Sequence, residues 1–161
     1  MSSRAAVLGS SAALLLAGCG FHLQGRTPLP HSLQAPLLEA KDTQSEFVQD
    51  LRHALLVAGA RVTEDSTDAT AVVHVLQDSV TQRVLAVSPT NQPAEYELTY
   101  TVRFSVTSNG NDLLTPQEVS ATRTYSFDER ALLAKDNEAD ILRQSLSHDL
   151  VGVVMRRLSS L

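Results

Sequence analysis

Residues 95–110 read EYELTYTVRFSVTSNG. Tyr96, Leu98, Tyr100, Val102, Phe104 and Val106 are apolar, and Glu95, Glu97, Thr99, Thr101, Arg103, Ser105 and Thr107 lie between them. A strict period of two is the mark of a strand with one buried and one wet face. Asn109-Gly110 follows it, the strongest short hairpin signal, so Val119 to Phe127 is expected to be the returning strand, with Pro116 near its beginning. A two-residue turn there sets Val119 opposite Tyr100, Ala121 opposite Leu98 and Arg123 opposite Tyr96. That register keeps Val119 and Ala121 on the buried face and brings Arg123 to its rim, its stem against the Tyr96 ring. A bulge near Pro116 would alter the pairing beyond it.

Upstream, Val72-Val73-His74-Val75-Leu76 is β-branched and apolar and reads as another strand, and Leu37-Leu38-Glu39 as a short first one. Residues 78–93 carry Pro89, Asn91 and Pro93 and are expected to form a long, partly ordered loop. Thr43-Gln44-Ser45-Glu46 fits a capping box with Thr43 as N-cap. Phe47, Leu51, Leu55 and Ala58 then recur at helical spacing, and Gly59 is placed to end that helix. Downstream, Asp128 to Ala134 is expected to be a short turn or a helical start. A long helix from Asp136 or Asn137 to about Leu158 follows, striped by Leu142, Leu146, Leu150, Val154 and Leu158. Asp136, Glu138 and Asp140 would crowd its first turn and Arg156 and Arg157 its last, which suits the helix dipole.

The order strand, helix, three strands, helix predicts an α+β fold. It is a two-layer sandwich of a four-stranded, mostly antiparallel sheet with two amphipathic helices packed on the face that carries Tyr96, Leu98 and Tyr100.

The first residues read differently. Arg4 is followed by an apolar or small run from Ala5 to Ala17, too short to span a bilayer, and then by Leu16-Ala17-Gly18-Cys19. A basic start, a short apolar run and small residues before the cut describe a secretory signal, here of the lipoprotein kind. Residues 1–18 are expected to be cleaved and Cys19, the chain's single cysteine, to carry a thioether-linked diacylglycerol and an N-acyl chain. Two buried chains already anchor stably. Gly20 at the next position, where an aspartate commonly retains a lipoprotein in the inner membrane, favours the outer one. Residues 19–36, with Pro28, Pro30 and Pro36, read as an extended tether, and 37–161 as one domain.

Without Arg4, 12 basic side chains face 18 acidic ones, a formal charge of −6. An acidic domain of this kind is not a general nucleic-acid binder, and an anionic partner must be met by a local basic spot. Lysine occurs only at Lys41 and Lys135. His22, His31, His53, His74 and His148 show no ligand spacing, so no metal is expected. The chain has no Gly-x-Ser-x-Gly elbow, phosphate loop or dinucleotide fingerprint, and Glu95 and Glu97 read as solvated strand residues. No enzyme is expected, and no cofactor beyond the lipid on Cys19.

Cys19-Gly20-Phe21-His22-Leu23 after the lipobox, Ala94-Glu95-Tyr96, Phe127-Asp128 and Ala134-Lys135-Asp136-Asn137-Glu138 together resemble the LptE family of lipopolysaccharide-assembly lipoproteins. The likeness spans nearly all of the mature chain. It implies a non-enzymatic protein that sits in the lumen of the outer-membrane β-barrel LptD, plugs it, supports its assembly and binds lipopolysaccharide. It also implies that Lys135 meets the anionic glycolipid as a point charge. Some members carry a second basic residue a few positions before Ala-Glu-Tyr. Here Pro89-Thr90-Asn91-Gln92 is uncharged, leaving Arg83, Arg123 and Arg130 as candidate basic support. The competing reading is a lipid-anchored accessory subunit of another envelope assembly or lipid-transport complex.

Overall fold

The computed structural model describes the backbone of residues 29–126 and 132–161, and the side chains of 29–126 and 138–161. The signal segment, the lipobox, Cys19, Arg130 and the side chain of Lys135 lie outside the described residues.

Strand β1 (Pro36–Ala40), helix α1 (Glu46–Val57), strands β2 (Ala71–Val87), β3 (Pro93–Ser108) and β4 (Asn111–Ser126), and helix α2 (Leu132–Leu158) follow in that order. The sheet runs β1-β2-β3-β4, with β1 parallel to β2 and the other pairs antiparallel, so it is the expected four-stranded, mostly antiparallel sheet. Both helices cover one face. Leu38, Val73, Val75, Leu98, Tyr100, Val102, Phe104 and Val106 from the sheet close on Phe47, Leu51 and Leu55 of α1 and Leu146, Leu150, Val154 and Leu158 of α2 in a single core.

The domain begins earlier than the expected boundary at 37. A 3-10 turn, His31–Leu33, buries Leu33 completely and Ala35 almost so, and Pro36 already opens β1. The apolar side chains, not the prolines around them, decide this segment. The N-cap also differs. Ser45, not Thr43, accepts a hydrogen bond from the Val48 N–H through its side chain, and Glu46 is the first helical residue. Gly59, at φ 97, ends α1 as expected: the Ala60 N–H donates to Leu55 O and the Gly59 N–H to Leu56 O, the Schellman pattern.

The largest departure is at 78–93. Instead of a long loop, β2 runs on to Val87 and β3 starts at Pro93. Only Ser88 to Gln92 turn, closed by Ser88 N–H to Gln92 O (2.7 Å) and Asn91 N–H to Ser88 O (2.9 Å). Pro93 sits at the first position of its strand, where a missing N–H costs nothing in the ladder. Pro89 and Asn91 lie within the turn, Asn91 in the left-handed region at φ 61.

The β3–β4 register also differs from the two-residue-turn pairing. Ser108 faces Asn111 as expected, but two irregularities between Phe104 and Thr107, opposite Asp112 to Gln117, shift the remainder by two residues. Val119 therefore faces Val102, Ala121 faces Tyr100 and Arg123 faces Leu98. A shift of two preserves which face each side chain occupies, so Val119 stays buried. The partner on the Tyr96 ring is Tyr125, stacked at 5.6 Å between centroids, and not the Arg123 stem. Helix α2 starts at Leu132, before the expected Asp136, and Asp136 to Asp140 occupy its second turn.

Tyr100 lies under α1, its ring 6.5 Å from that of Phe47. Burial first, and then a hydrogen bond to Asp78, push its hydroxyl well above the ordinary tyrosine range. A phenol with a raised folded pKa supports the fold fully below the unfolded value of about 10 and loses that support as pH climbs through the folded pKa. The melting temperature is therefore expected to fall above about pH 10. Tyr100→Phe, which has nothing to ionise there, should flatten part of that fall in a thermal-melt series from pH 8 to 12.

Candidate functional site

The wet face of the sheet is polar across three strands. Thr99 pairs with Thr81 on one side and Thr122 on the other, and the hydroxyls of Thr99 and Thr122 are 3.1 Å apart. One row along, Arg83 faces Glu97 and its Nε donates to Glu97 Oε1 at 2.6 Å. That bond holds the Glu97 carboxyl below its usual range and the guanidinium above its own.

Arg123 occupies the opposite face. Its Nη2 donates to Asp149 Oδ2 of α2 at 2.6 Å, which ties β4 to the helix layer. Arg157 of α2 likewise reaches Gln117 at 2.6 Å. Arg83 and Arg123 thus lie on different faces of the sheet, each matched by a carboxylate, and do not form one basic patch. Exposed pairs of this kind contribute little to binding a distant anion.

The N-terminal side of α1 is acidic. Glu46, Asp50, Asp78 and Asp140 approach one another there, and burial, followed by Asp50, raises the Glu46 pKa despite the nearby Arg143. Asp50 also accepts a hydrogen bond at 2.7 Å from Ser147, a fully buried hydroxyl that pins α1 to α2. An anionic ligand is repelled from this side.

The remaining end of the domain is the one where the β2–β3 hairpin turns. Ser126, the last residue of β4, pairs with Glu95, and Glu95 pairs with Ala86 of β2. Helix α2 opens at Leu132, so its first turn, containing Lys135, begins six residues along the chain from Ser126. From there α2 runs back over the sheet, passing Arg123 at Asp149 and Gln117 at Arg157. The hairpin turn offers only neutral groups. The Ser88 hydroxyl meets that of Thr90 at 2.9 Å and accepts from the Gln92 N–H at 3.2 Å. Sequence reasoning named Lys135 through the family likeness alone. The Ser88-centred turn it missed altogether, because proline and asparagine there mark a loop of any length.

Among the described residues no three His, Cys, Asp or Glu side chains are placed to hold a metal ion. Among the described residues no helix is long and apolar enough to cross a membrane. His74 bridges Glu39 (3.0 Å) and Thr107 (2.9 Å) on the wet face, and His148 lies 3.9 Å from Asp50.

A hydroxyl-rich sheet face, a two-helix cover on the other face and cations dispersed in separate ion pairs define a small α+β domain. The chain belongs to the LptE, lipopolysaccharide-assembly, family, whose model matches residues 34–158. It is 32% identical over 148 residues to the LPS-assembly lipoprotein LptE of Pectobacterium atrosepticum, covering 91% of this chain and 80% of that one. With the LPS-assembly lipoprotein LptE of Yersinia enterocolitica it shares 31% identity, over 91% of this chain and 71% of the other. Among solved structures, rare lipoprotein B of Shewanella oneidensis superposes with a TM-score of 0.69 at 26% identity, over 78% of this chain and 94% of that one. An uncharacterized lipoprotein B of Nitrosomonas europaea shares the fold at a TM-score of 0.74 and 24% identity, over 88% and 91% of the two chains. The protein is thus a member of a family of lipopolysaccharide-assembly lipoproteins.

Proposed function

We propose that this chain, lipidated on Cys19, is held at the outer membrane, plugs and helps to assemble the LptD barrel, and binds lipopolysaccharide on its way to the cell surface. The family match across nearly the whole described domain carries this reading. The placement of the first turn of α2 supports it. Lys135 stands there beside the N-terminal N–H groups of a 27-residue helix, at the hairpin end. A lipid phosphate needs such a local cation on an acidic chain, and the positive end of the helix dipole adds to it.

The lipid is a second attachment in this arrangement, because the barrel wall already holds the plug. Cys19→Ala, exported with a different signal, is expected to fold, to melt like the wild type and to bind the barrel. It should lower the yield of mature barrel in cells several-fold, read by immunoblot of the heat-modifiable form. A variant that no longer binds the barrel in vitro would show that the lipid is the principal attachment.

The two paired arginines contribute little to lipid binding on this account. Arg83→Ala and Arg123→Ala should each leave the dissociation constant for purified lipopolysaccharide within about twofold, as expected for side chains already matched by carboxylates on separate faces. A titration of immobilised lipopolysaccharide checks this directly.

A further inference from the structure

Strand β1 pairs with β2 only from Ala71 to Val75 and leaves the sheet at Ala40. Strand β2 continues for a further 11 residues, Gln77 to Val87, bonded to β3 on one side. Among the described residues no strand occupies its other side. Alternate residues of a strand direct their N–H and C=O groups to each side, so this stretch presents an open ladder. An open ladder is normally blunted by lysine, proline or bulges. Here Gln77–Val87 holds no lysine and no proline. Its bulges lie only at the two ends, next to Leu76 and around Leu85 to Val87. Its one basic side chain, Arg83, is occupied by Glu97.

The side chains along this edge are apolar where water should favour polar ones. Leu76, Val84, Leu85 and Val87 are 51%, 48%, 47% and 58% exposed. Where β1 departs, a cavity of about 420 Å3 opens between the start of α1 and β2, lined by Ala40, Ser45, Val75, Leu76 and Val80 among others.

We propose that the outer edge of β2 from Gln77 to Val87 is a docking site for one extended polypeptide strand of the barrel partner, added in the row that β1 vacates, with apolar side chains at alternate positions. The proposal rests on the plug reading and names the segment of the domain that pairs with the partner's main chain. A lipid acyl chain would cover the apolar side chains but leave the backbone donors and acceptors unmatched, whereas a strand satisfies both. The direction of the chain favours a partner over this protein's own tether. The tether enters through Leu29 and His31–Leu33, beside the start of β1, which pairs with Ala71. At about 3.3 Å per residue, Val87 lies about 50 Å farther along the strand. The open edge therefore runs away from the point where residue 29 enters the described domain, to the end that also carries the first turn of α2.

The test is amide hydrogen exchange on the lipidated full-length chain, free and in purified complex with the barrel, with the barrel's presence in that complex read separately on a gel. In the free chain, alternate amides of Gln77–Val87 should exchange quickly. In the complex the same amides should slow by about 100-fold, as amides entering a ladder do. Slow exchange of these amides in the free monomer would show that the chain's own N-terminal segment covers the edge and would overturn the proposal. So would slow exchange that appears only with self-association, which assigns the edge to a second copy. If the barrel is retained and these amides stay fast, the docking site is wrong while the plug reading stands; if no barrel is retained, the plug reading falls and takes the proposal with it. Leu85→Lys with Val87→Lys gives a second measurement. Both sites are exposed, so the free domain should melt as the wild type does, and barrel retention should drop about tenfold because lysine blunts an edge. Undiminished retention would contradict the strand pairing.

Discussion

Lys135→Asp is expected to lower the affinity for lipopolysaccharide by about 10- to 100-fold, which corresponds to losing a charge-assisted contact of roughly 1.5–3 kcal/mol. The substitution replaces the point charge with one that repels phosphate, in the first turn of α2 and beside the N-terminal N–H groups that favour anions. Its effect on the fold should be small. The substitution adds an acidic residue to the start of a helix, which suits the dipole, and α2 is held farther along by Leu146, Leu150, Val154 and Leu158 in the core. Thermal melting and barrel association should therefore match the wild type while the lipid titration shifts. Lys135→Arg keeps the charge and should retain most of the binding. Lipid binding unchanged in Lys135→Asp would remove Lys135 from the site, and loss of barrel association would make it a packing residue.

The second large effect is on stability. Phe47→Ala is expected to destabilise the domain by about 3–5 kcal/mol, the range for truncating a fully buried aromatic ring. Phe47 is wholly buried on α1, tilted at 60° against Tyr100 from the middle of β3. It joins the helix layer to the sheet at the point where Tyr100 also reaches Asp78. Its removal leaves a cavity between the layers that Leu51 and Val48, each fixed in its own turn of the same helix, cannot fill. A urea denaturation curve should show a lower midpoint with an unchanged slope. A loss below 1 kcal/mol would mean that α1 is held to the sheet by other contacts, with Ser147 to Asp50 the first to test.

The sheet-and-two-helix architecture was legible because its signals are local. The alternation from Tyr96 to Val106, the Asn109-Gly110 turn and the leucine stripe of α2 each specify one element, and one buried face requires those elements to pack together. What escaped the sequence was set by pairing. Residues 81–87 lack a clean period because their side chains are mostly exposed, so their strand character comes from hydrogen bonding to β3 and leaves no apolar pattern to read. The shift of two near Pro116 kept every side chain on its expected face and changed only its neighbour, which is why Arg123 finds Asp149 and not Tyr96. Ser45 displaced Thr43 as the cap although both residue types suit the role, and a one-turn pattern cannot choose between two candidates two residues apart. The candidate site was the least legible part. A single lysine in an acidic chain carries no chemical signature by itself. Its candidacy rests on the family likeness and on the hairpin end at which the first turn of α2 lies.

The most direct measurement is a native affinity purification of the full-length chain from envelope membranes in mild detergent, with the bound proteins resolved before and after heating. The account predicts a stoichiometric, large, heat-modifiable outer-membrane barrel that stays bound at high salt, with lipopolysaccharide in the same fraction. Recovery of other envelope-assembly or lipid-transport subunits, and no barrel, would contradict it.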